Sequence, residues 1–384
     1  MSMKRYIANR FQHAGSGLSL DTEALAKYND IIDLSIGDTD FTTDEAIIEK
    51  AYLDAKAGHT HYGDPKGDPE LISAVCGAWQ ADFTQELLPD HVLVTASSCL
   101  GMALAMLTIL NPGDEVIVFS PYFAMYRSQI ELAGGVCVDV PTYASENYAI
   151  SEERLRAAIT PRTKAIIFNN PTNPTGMAYD RSTLELLAKI AQEYDLLVAA
   201  DEIYTTYIYE GDYIPLRTLP GMLDRTITLN SFSKNFLMTG WRVGVIIAES
   251  TLIATMNQIN GSLIYSAPSI SQRAAIAALD NRARIRERYI KAYRERIFYS
   301  ADRLEKIPYL SLVRPKGTFY LFPGVEKTGL SAGEFCKELL ERAHILVSPG
   351  DVFGLAGKQH FRIACTVDIE KLREAYDRME ALRF

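Results

Sequence analysis

Ser231-Phe232-Ser233-Lys234-Asn235-Phe236-Leu237-Met238-Thr239-Gly240-Trp241-Arg242-Val243-Gly244 follows, after Asn230, the apolar run Ile227-Thr228-Leu229. A single lysine stands among two serine hydroxyls, with Arg242 eight residues further on and glycines at 240 and 244. A buried strand that empties into hydroxyls, a guanidinium and glycine reads as a phosphate pocket with an amine held inside it. In that reading the lysine is a covalent nucleophile and the chain a cofactor enzyme.

Upstream of this stretch, short β-branched runs alternate with helical ones. The runs are His91–Thr95, Glu115–Phe119, Val136–Val140, Ala165–Phe168, Leu196–Ala200 and Thr226–Leu229, with helix candidates between them such as Cys99–Leu110 and Ser182–Tyr194. Most of the runs are continuously apolar, as expected of strands buried on both faces of a mostly parallel sheet. The fold class is therefore α/β, with a large doubly wound domain. Arg282–Lys306 reads as a long solvated helix, and Ser311–Phe384 as a smaller α+β domain. The expected division is an N-terminal segment 1–46 joining the small domain, a large domain 47–288 and a small C-terminal domain 289–384.

In such sheets ligands bind beyond the carboxyl ends of the strands. Ser97-Ser98, Tyr122-Phe123, Asn169–Gly176, Asp201-Glu202-Ile203-Tyr204 and Ser231–Lys234 each follow a different run. Taken singly, each has an ordinary explanation: a surface lysine, a helix cap at Asp201 or Ser97-Ser98, a turn at Asn173–Gly176, a core edge at Phe123. Taken together they supply what pyridoxal phosphate requires. Lys234 is the amine for a Schiff base, and Asp201 the carboxylate for the pyridinium nitrogen. Ser98, Ser231, Ser233 and Arg242 make a phosphate cup, with the amides of a helix opening near Cys99. Asn173 and Tyr204 are donors to the ring oxygen, and Phe123 is an aromatic face.

Composition narrows the alternatives. The 384 residues are 48% hydrophobic and carry a net charge of −9, which supports well-buried cores and argues against a nucleic-acid surface. Cys76, Cys99, Cys137, Cys336 and Cys365 are widely spaced with no Cys-x-x-Cys, the pattern of reduced thiols in a cytoplasmic protein. His59 and His61 form no metal motif, so no metal site is expected. Lys4, Arg5 and Arg10 are not followed by an apolar core, and Leu100–Leu110 is too short to span a bilayer; neither a secretory signal nor a membrane segment is expected.

The chain resembles the class I/II aminotransferases, the fold-type-I pyridoxal-phosphate enzymes. The resemblance runs from Leu34-Ser35-Ile36-Gly37 to His360-Phe361-Arg362. It is carried by Asn-Asn-Pro-Thr-Asn-Pro-Thr-Gly (169–176), Ala-Asp-Glu-Ile-Tyr (200–204) and the 231–244 stretch. It implies Lys234 as the Schiff-base lysine and the base that moves the Cα proton. It also implies Asp201 as the partner of the ring nitrogen, and Asn173 and Tyr204 on the ring oxygen. Phe123 would stack on the ring; Ser97, Ser98, Cys99, Ser231, Ser233 and Arg242 would hold the phosphate. Tyr62 looks like the tyrosine that reaches the phosphate of a neighbouring subunit, which makes the protein a homodimer. Arg362 looks like the clamp for the substrate α-carboxylate, and Gly37 like the glycine that lines the substrate pocket. Where many relatives carry small glycine-rich residues, this chain has Thr95-Ala96-Ser97-Ser98-Cys99, and the backbone amide at Cys99 must do the work its weak thiol donor cannot.

Three functions compete. In the first, an aminotransferase moves an amino group from an amino acid to a 2-oxo acid by a ping-pong route. In the second, a carbon–sulfur β-lyase acts on cystathionine-like substrates with the same residues. The third is a regulator that merely holds the cofactor; it lacks room for a DNA-binding domain before residue 34, and the full Lys/Asp/Arg set argues for turnover. Transamination is favoured because it is the commoner use of the scaffold. Tyr126, Tyr265 and Phe11 are candidates for an apolar substrate pocket or for ordinary packing, and no motif marks a second arginine for a distal carboxylate.

Overall fold

The computed structural model describes residues 3–8 and 27–384. Phe11 and Arg10 lie outside the described residues. Strands β1 (Ile32–Asp33), β2 (Val92–Thr95), β3 (Glu115–Ser120), β4 (Val136–Pro141), β5 (Thr163–Asn169), β6 (Leu197–Asp201), β7 (Thr226–Ser231) and β8 (Gly244–Ile247) precede β9 (Tyr320–Leu321), β10 (Ile345–Leu346), β11 (Ser348–Pro349) and β12 (Phe361–Ala364). The helices that shape the site are α1 (Ser98–Ile109), α2 (Met125–Leu132), α3 (Arg181–Glu193), α4 (Phe232–Asn235), α5 (Arg282–Leu304), α6 (Ala332–Ala343) and α7 (Ile369–Ala381).

Seven strands form one sheet in the order β2-β8-β7-β6-β5-β3-β4. All of them run parallel except β8, which is antiparallel to both β2 and β7. Successive residues of each strand point to opposite faces, and both faces are covered. Val116, Val118, Ile167 and Ala199 enter one core, while Ile117, Ile166, Phe168 and Val198 enter another on the opposite face. That double burial is why the runs read as continuously apolar. The sequence reading names no strand at 244–247. Gly244 opens it, and three apolar residues are too few to carry a periodic signal, although all four are buried.

Helix α3 illustrates how the layers are fixed. The Asp180 side chain accepts from the Thr183 amide and caps the helix start, and Leu184, Leu187, Ala188, Ile190 and Ala191 are buried. Replacing such a cap by alanine costs about 1 kcal/mol. A second core forms around Ile297, Leu304, Phe335, Leu339, Phe361, Ile363, Leu372 and Tyr376. It is organised by α5, α6, α7, the antiparallel order β11-β12-β9 and the parallel pair β1-β10.

Helix α5 joins the two. Its Ile285, Tyr289 and Tyr293 pack in the core below the large sheet, and Ile297, Ala301 and Leu304 in the second. Arginines on α5 are spent on carboxylates of the same chain: Arg284 on Asp44, Arg286 on Asp82, Arg296 on Asp40, Arg303 on Asp377 and Glu380. All five cysteines are free. Among the described residues no helix is long and apolar enough to cross a membrane.

Candidate active site

The carboxyl ends of β2, β5, β6 and β7 open onto one cavity of about 820 Å³. Gly37, Ser97, Ser98, Cys99, Phe123, Asn173, Asp201, Tyr204, Ser231, Ser233, Lys234, Arg242 and Arg362 all line it. Tyr62 does not. The residue is 87% exposed, its ring meeting the edge of Tyr265 with centroids 5.2 Å apart.

One end of the cavity is built from two helix starts, an arrangement that could hold a phosphate. Ser97 caps α1, its hydroxyl accepting from the Leu100 amide at 3.2 Å. Ser231 caps the single turn of α4, accepting from the Ser233 amide at 3.1 Å. Arg242 adds a guanidinium that donates to the Thr239 carbonyl at 2.7 Å and forms no ion pair among the described residues. Gly244 brings β8 against α1: a Cβ there would lie 2.8 Å from the Ser98 nitrogen. Cys99 opens onto the cavity, with its thiol pushed up by desolvation and by the Asp201 charge. Gln129 on α2 donates to the Cys99 carbonyl at 2.9 Å.

Asp201, the last residue of β6, is buried. Burial pushes its carboxyl up to about 6. Its Oδ2 accepts a short hydrogen bond from the Tyr126 hydroxyl, whose own proton is held by burial and by the Asp201 charge. Among the described residues its buried Oδ1 has no hydrogen-bond partner within bonding distance. A buried carboxylate oxygen left unpaired is costly. A pyridinium N–H in the cavity would be a donor able to remove that cost.

At the other end, Arg362 is buried on β12. It donates to Asn173 Oδ1 at 3.0 Å and to the Ser35 carbonyl at 2.6 Å. Among the described residues its buried Nε has no hydrogen-bond partner and no carboxylate pairs with it. A buried guanidinium paired only with neutral groups is an anion site. Lys234 Nζ lies between the two ends and donates to the Gly37 carbonyl at 2.5 Å. The Tyr204 and Tyr320 hydroxyls are 3.1 Å apart. Burial and the Tyr320 neighbour hold the Tyr204 phenol far above its ordinary value, so it is a donor at neutral pH.

Several cavity residues escaped the sequence reading. Tyr126 was weighed only as pocket wall or packing, yet it holds Asp201. Tyr320, Asn169 and Gln129 were not singled out. Asn169 closes the 169–176 motif: its Oδ1 accepts from the Asn173 amide at 2.8 Å and its Nδ2 donates to the Asp201 carbonyl at 2.8 Å. Its position inside the quoted motif was the available signal.

A doubly wound sheet with this donor set at its carboxyl rim defines the fold-type-I class of pyridoxal-phosphate enzymes. The profile of the family described as Aminotransferase class I and II matches residues 29–379. The chain belongs to that family, is an aminotransferase, and takes pyridoxal 5'-phosphate as its cofactor. It is 39% identical over 364 residues to an aspartate aminotransferase of Pyrococcus abyssi, with 92% of each chain covered. It is 35% identical over 350 residues to the arginine–pyruvate transaminase AruH of Pseudomonas aeruginosa, covering 91% of this chain and 89% of that one. Among solved structures, the aromatic aminotransferase of Pyrococcus horikoshii matches with a TM-score of 0.89 at 35% identity, over 94% of this chain and 97% of that one.

Proposed function

We propose that this protein moves an amino group from an L-amino acid to a 2-oxo acid in two half-reactions on one cavity, as a cytoplasmic homodimer. The observation that carries the reading is Arg362: a buried guanidinium with no carboxylate partner among the described residues, beside Asn173 and lining the same cavity as Asp201 and Lys234. It is placed to take the α-carboxylate that every amino acid and every 2-oxo acid presents.

Bound pyridoxal phosphate supplies an electron-withdrawing ring and a carbon that carries the amino group between the half-reactions. The chain's own groups do the rest. Asp201 Oδ1 keeps the ring nitrogen protonated, with Tyr126 fixing the carboxylate plane. Lys234 is the attachment point, and its Nζ takes and returns the Cα proton. Asn173 and Tyr204 would donate to the ring oxygen, and Phe123 would lie along the ring face. The helix starts at Ser98 and Ser233, with Ser97, Cys99, Ser231 and Arg242, hold the phosphate. Gly37 lines the floor.

The homodimer rests on Tyr62, which faces outward beside the exposed Tyr265; Leu263 and Ile264, just before Tyr265 in sequence, are exposed as well. A second subunit that buried this face would bring Tyr62 to its partner's phosphate. The division into 1–46, 47–288 and 289–384 is part of the same reading; along α5 the core changes between Tyr293 and Ile297, a few residues beyond that boundary. No observation favours the β-lyase.

Relatives named for aspartate, arginine and aromatic substrates leave the donor open. The test is a panel of aspartate, alanine, arginine, aromatic and branched donors against 2-oxoglutarate and pyruvate, with cystathionine included. At least one donor–acceptor pair is expected to turn over at about 1 s⁻¹ or faster. Steady release of pyruvate and ammonia from cystathionine, with no 2-oxo acid required, would overturn the reading.

A further inference from the structure

Tyr320 belongs to none of the motifs that mark the site, yet it touches three of its working parts. It sits on β9, in the antiparallel ladder with β12 that also carries Arg362. Its hydroxyl is 3.1 Å from that of Tyr204. The Arg362 guanidinium carbon lies 4.6 Å from its ring centroid. The same hydroxyl fills the space beside Gly37: a Cβ built on Gly37 would fall 1.8 Å from it. Gly37 in turn accepts the hydrogen bond from Lys234.

A single O–H···O hydrogen bond joins the two hydroxyls, and either can be its donor, so the pair has a direction. If Tyr204 gives its proton to Tyr320, it has none left for a cofactor oxygen. If Tyr320 gives its proton to Tyr204, the Tyr204 hydroxyl is free to donate into the cavity, and the bond it accepts makes it a stronger donor. We infer that Tyr320 is a positioning residue that donates to Tyr204 and thereby commits the Tyr204 hydroxyl to the ring oxygen of the cofactor. This rests on the reading that Tyr204 faces that oxygen.

The charged and titratable groups around the pair are Arg362 on β12, Lys234 beyond β7, Asp201 at the end of β6, and Tyr207, which packs near both. None of them offers Tyr204 a hydrogen-bond donor in place of Tyr320. The consequence is spectroscopic. A stronger donor on the ring oxygen lowers the pH at which the lysine-bound cofactor loses its proton, so losing the Tyr320 hydroxyl raises that pH.

The test is a pH titration of the visible absorbance of the holoenzyme for wild type, Tyr204→Phe, Tyr320→Phe and the double variant. Phenylalanine keeps the ring under Arg362, and a thermal melt of each variant checks folding. Tyr320→Phe is expected to raise the midpoint by about half a unit, Tyr204→Phe by more, and the double variant no further than Tyr204→Phe alone. If Tyr204→Phe leaves the midpoint in place, the Tyr204 reading fails. If Tyr204→Phe moves it and Tyr320→Phe does not, or if the two shifts add in the double variant, the relay alone is overturned.

Discussion

Asp201 shows how one side chain is kept ready at a cost to the fold. Its carboxyl is raised from 3.8 to about 6 by burial. A carboxyl raised in the folded state binds its proton more tightly there than in the unfolded chain. Its ionisation therefore penalises folding increasingly as pH rises from about 4 to about 6, and fully above that. A shift of this size corresponds to about 3 kcal/mol. Asp201→Asn is expected to melt several degrees higher than wild type when both are cofactor-free at pH 8, and to lose that advantage at pH 4. Thermal denaturation across this range checks it; an advantage independent of pH would contradict the electrostatic account. The same variant, unable to hold a proton on the ring nitrogen, is expected to lose turnover by at least about 10².

At the scale of elements, the site depends on β8 lying close to the start of α1. Gly244 makes the approach possible, because a Cβ there would meet the Ser98 nitrogen at 2.8 Å and the Asn230 carbonyl at 3.0 Å. Both neighbours are backbone and cannot swing away. Gly244→Ala is expected to weaken pyridoxal phosphate binding by about tenfold, with little change in secondary structure. Absorbance titration of the cofactor-free protein measures it, and unchanged affinity would count against a phosphate cup between α1 and β8. This element also marks the limit of what the sequence reveals. Strands buried on both faces, such as β5 and β6, announce themselves by unbroken apolar runs, and the polar residues after them fall on one rim for a topological reason. β8 is short and glycine-led and sends no such signal. Tyr126 and Tyr320 are invisible for a different reason. Their partners, Asp201 and Tyr204, are 75 and 116 residues away, and no local spacing encodes those contacts.

At the scale of the molecule, two cores meet along α5, and the cavity lies where Ser35–Asp38, just after β1, and Arg362 on β12 face the rim of the large sheet. Lys234 comes from one side and Arg362 from the other, so a substrate held at both is held across the junction. Tyr62 points away from both. Tyr62→Phe is expected to lower cofactor affinity about tenfold while the protein still sediments as a dimer. The same loss in a protein that sediments as a monomer would refute a role in trans. The most direct measurement of the central claim omits the acceptor. Holoenzyme is mixed with a competent L-amino acid and no 2-oxo acid, and both the visible absorbance and the released oxo acid are followed. The account predicts one oxo acid per subunit, a change in the absorbance band that stops there, and recovery of the original band when a 2-oxo acid is added. Lys234→Ala should do none of this at a measurable rate. Continuous product and ammonia release without an acceptor, or an unaltered course in Lys234→Ala, would contradict it.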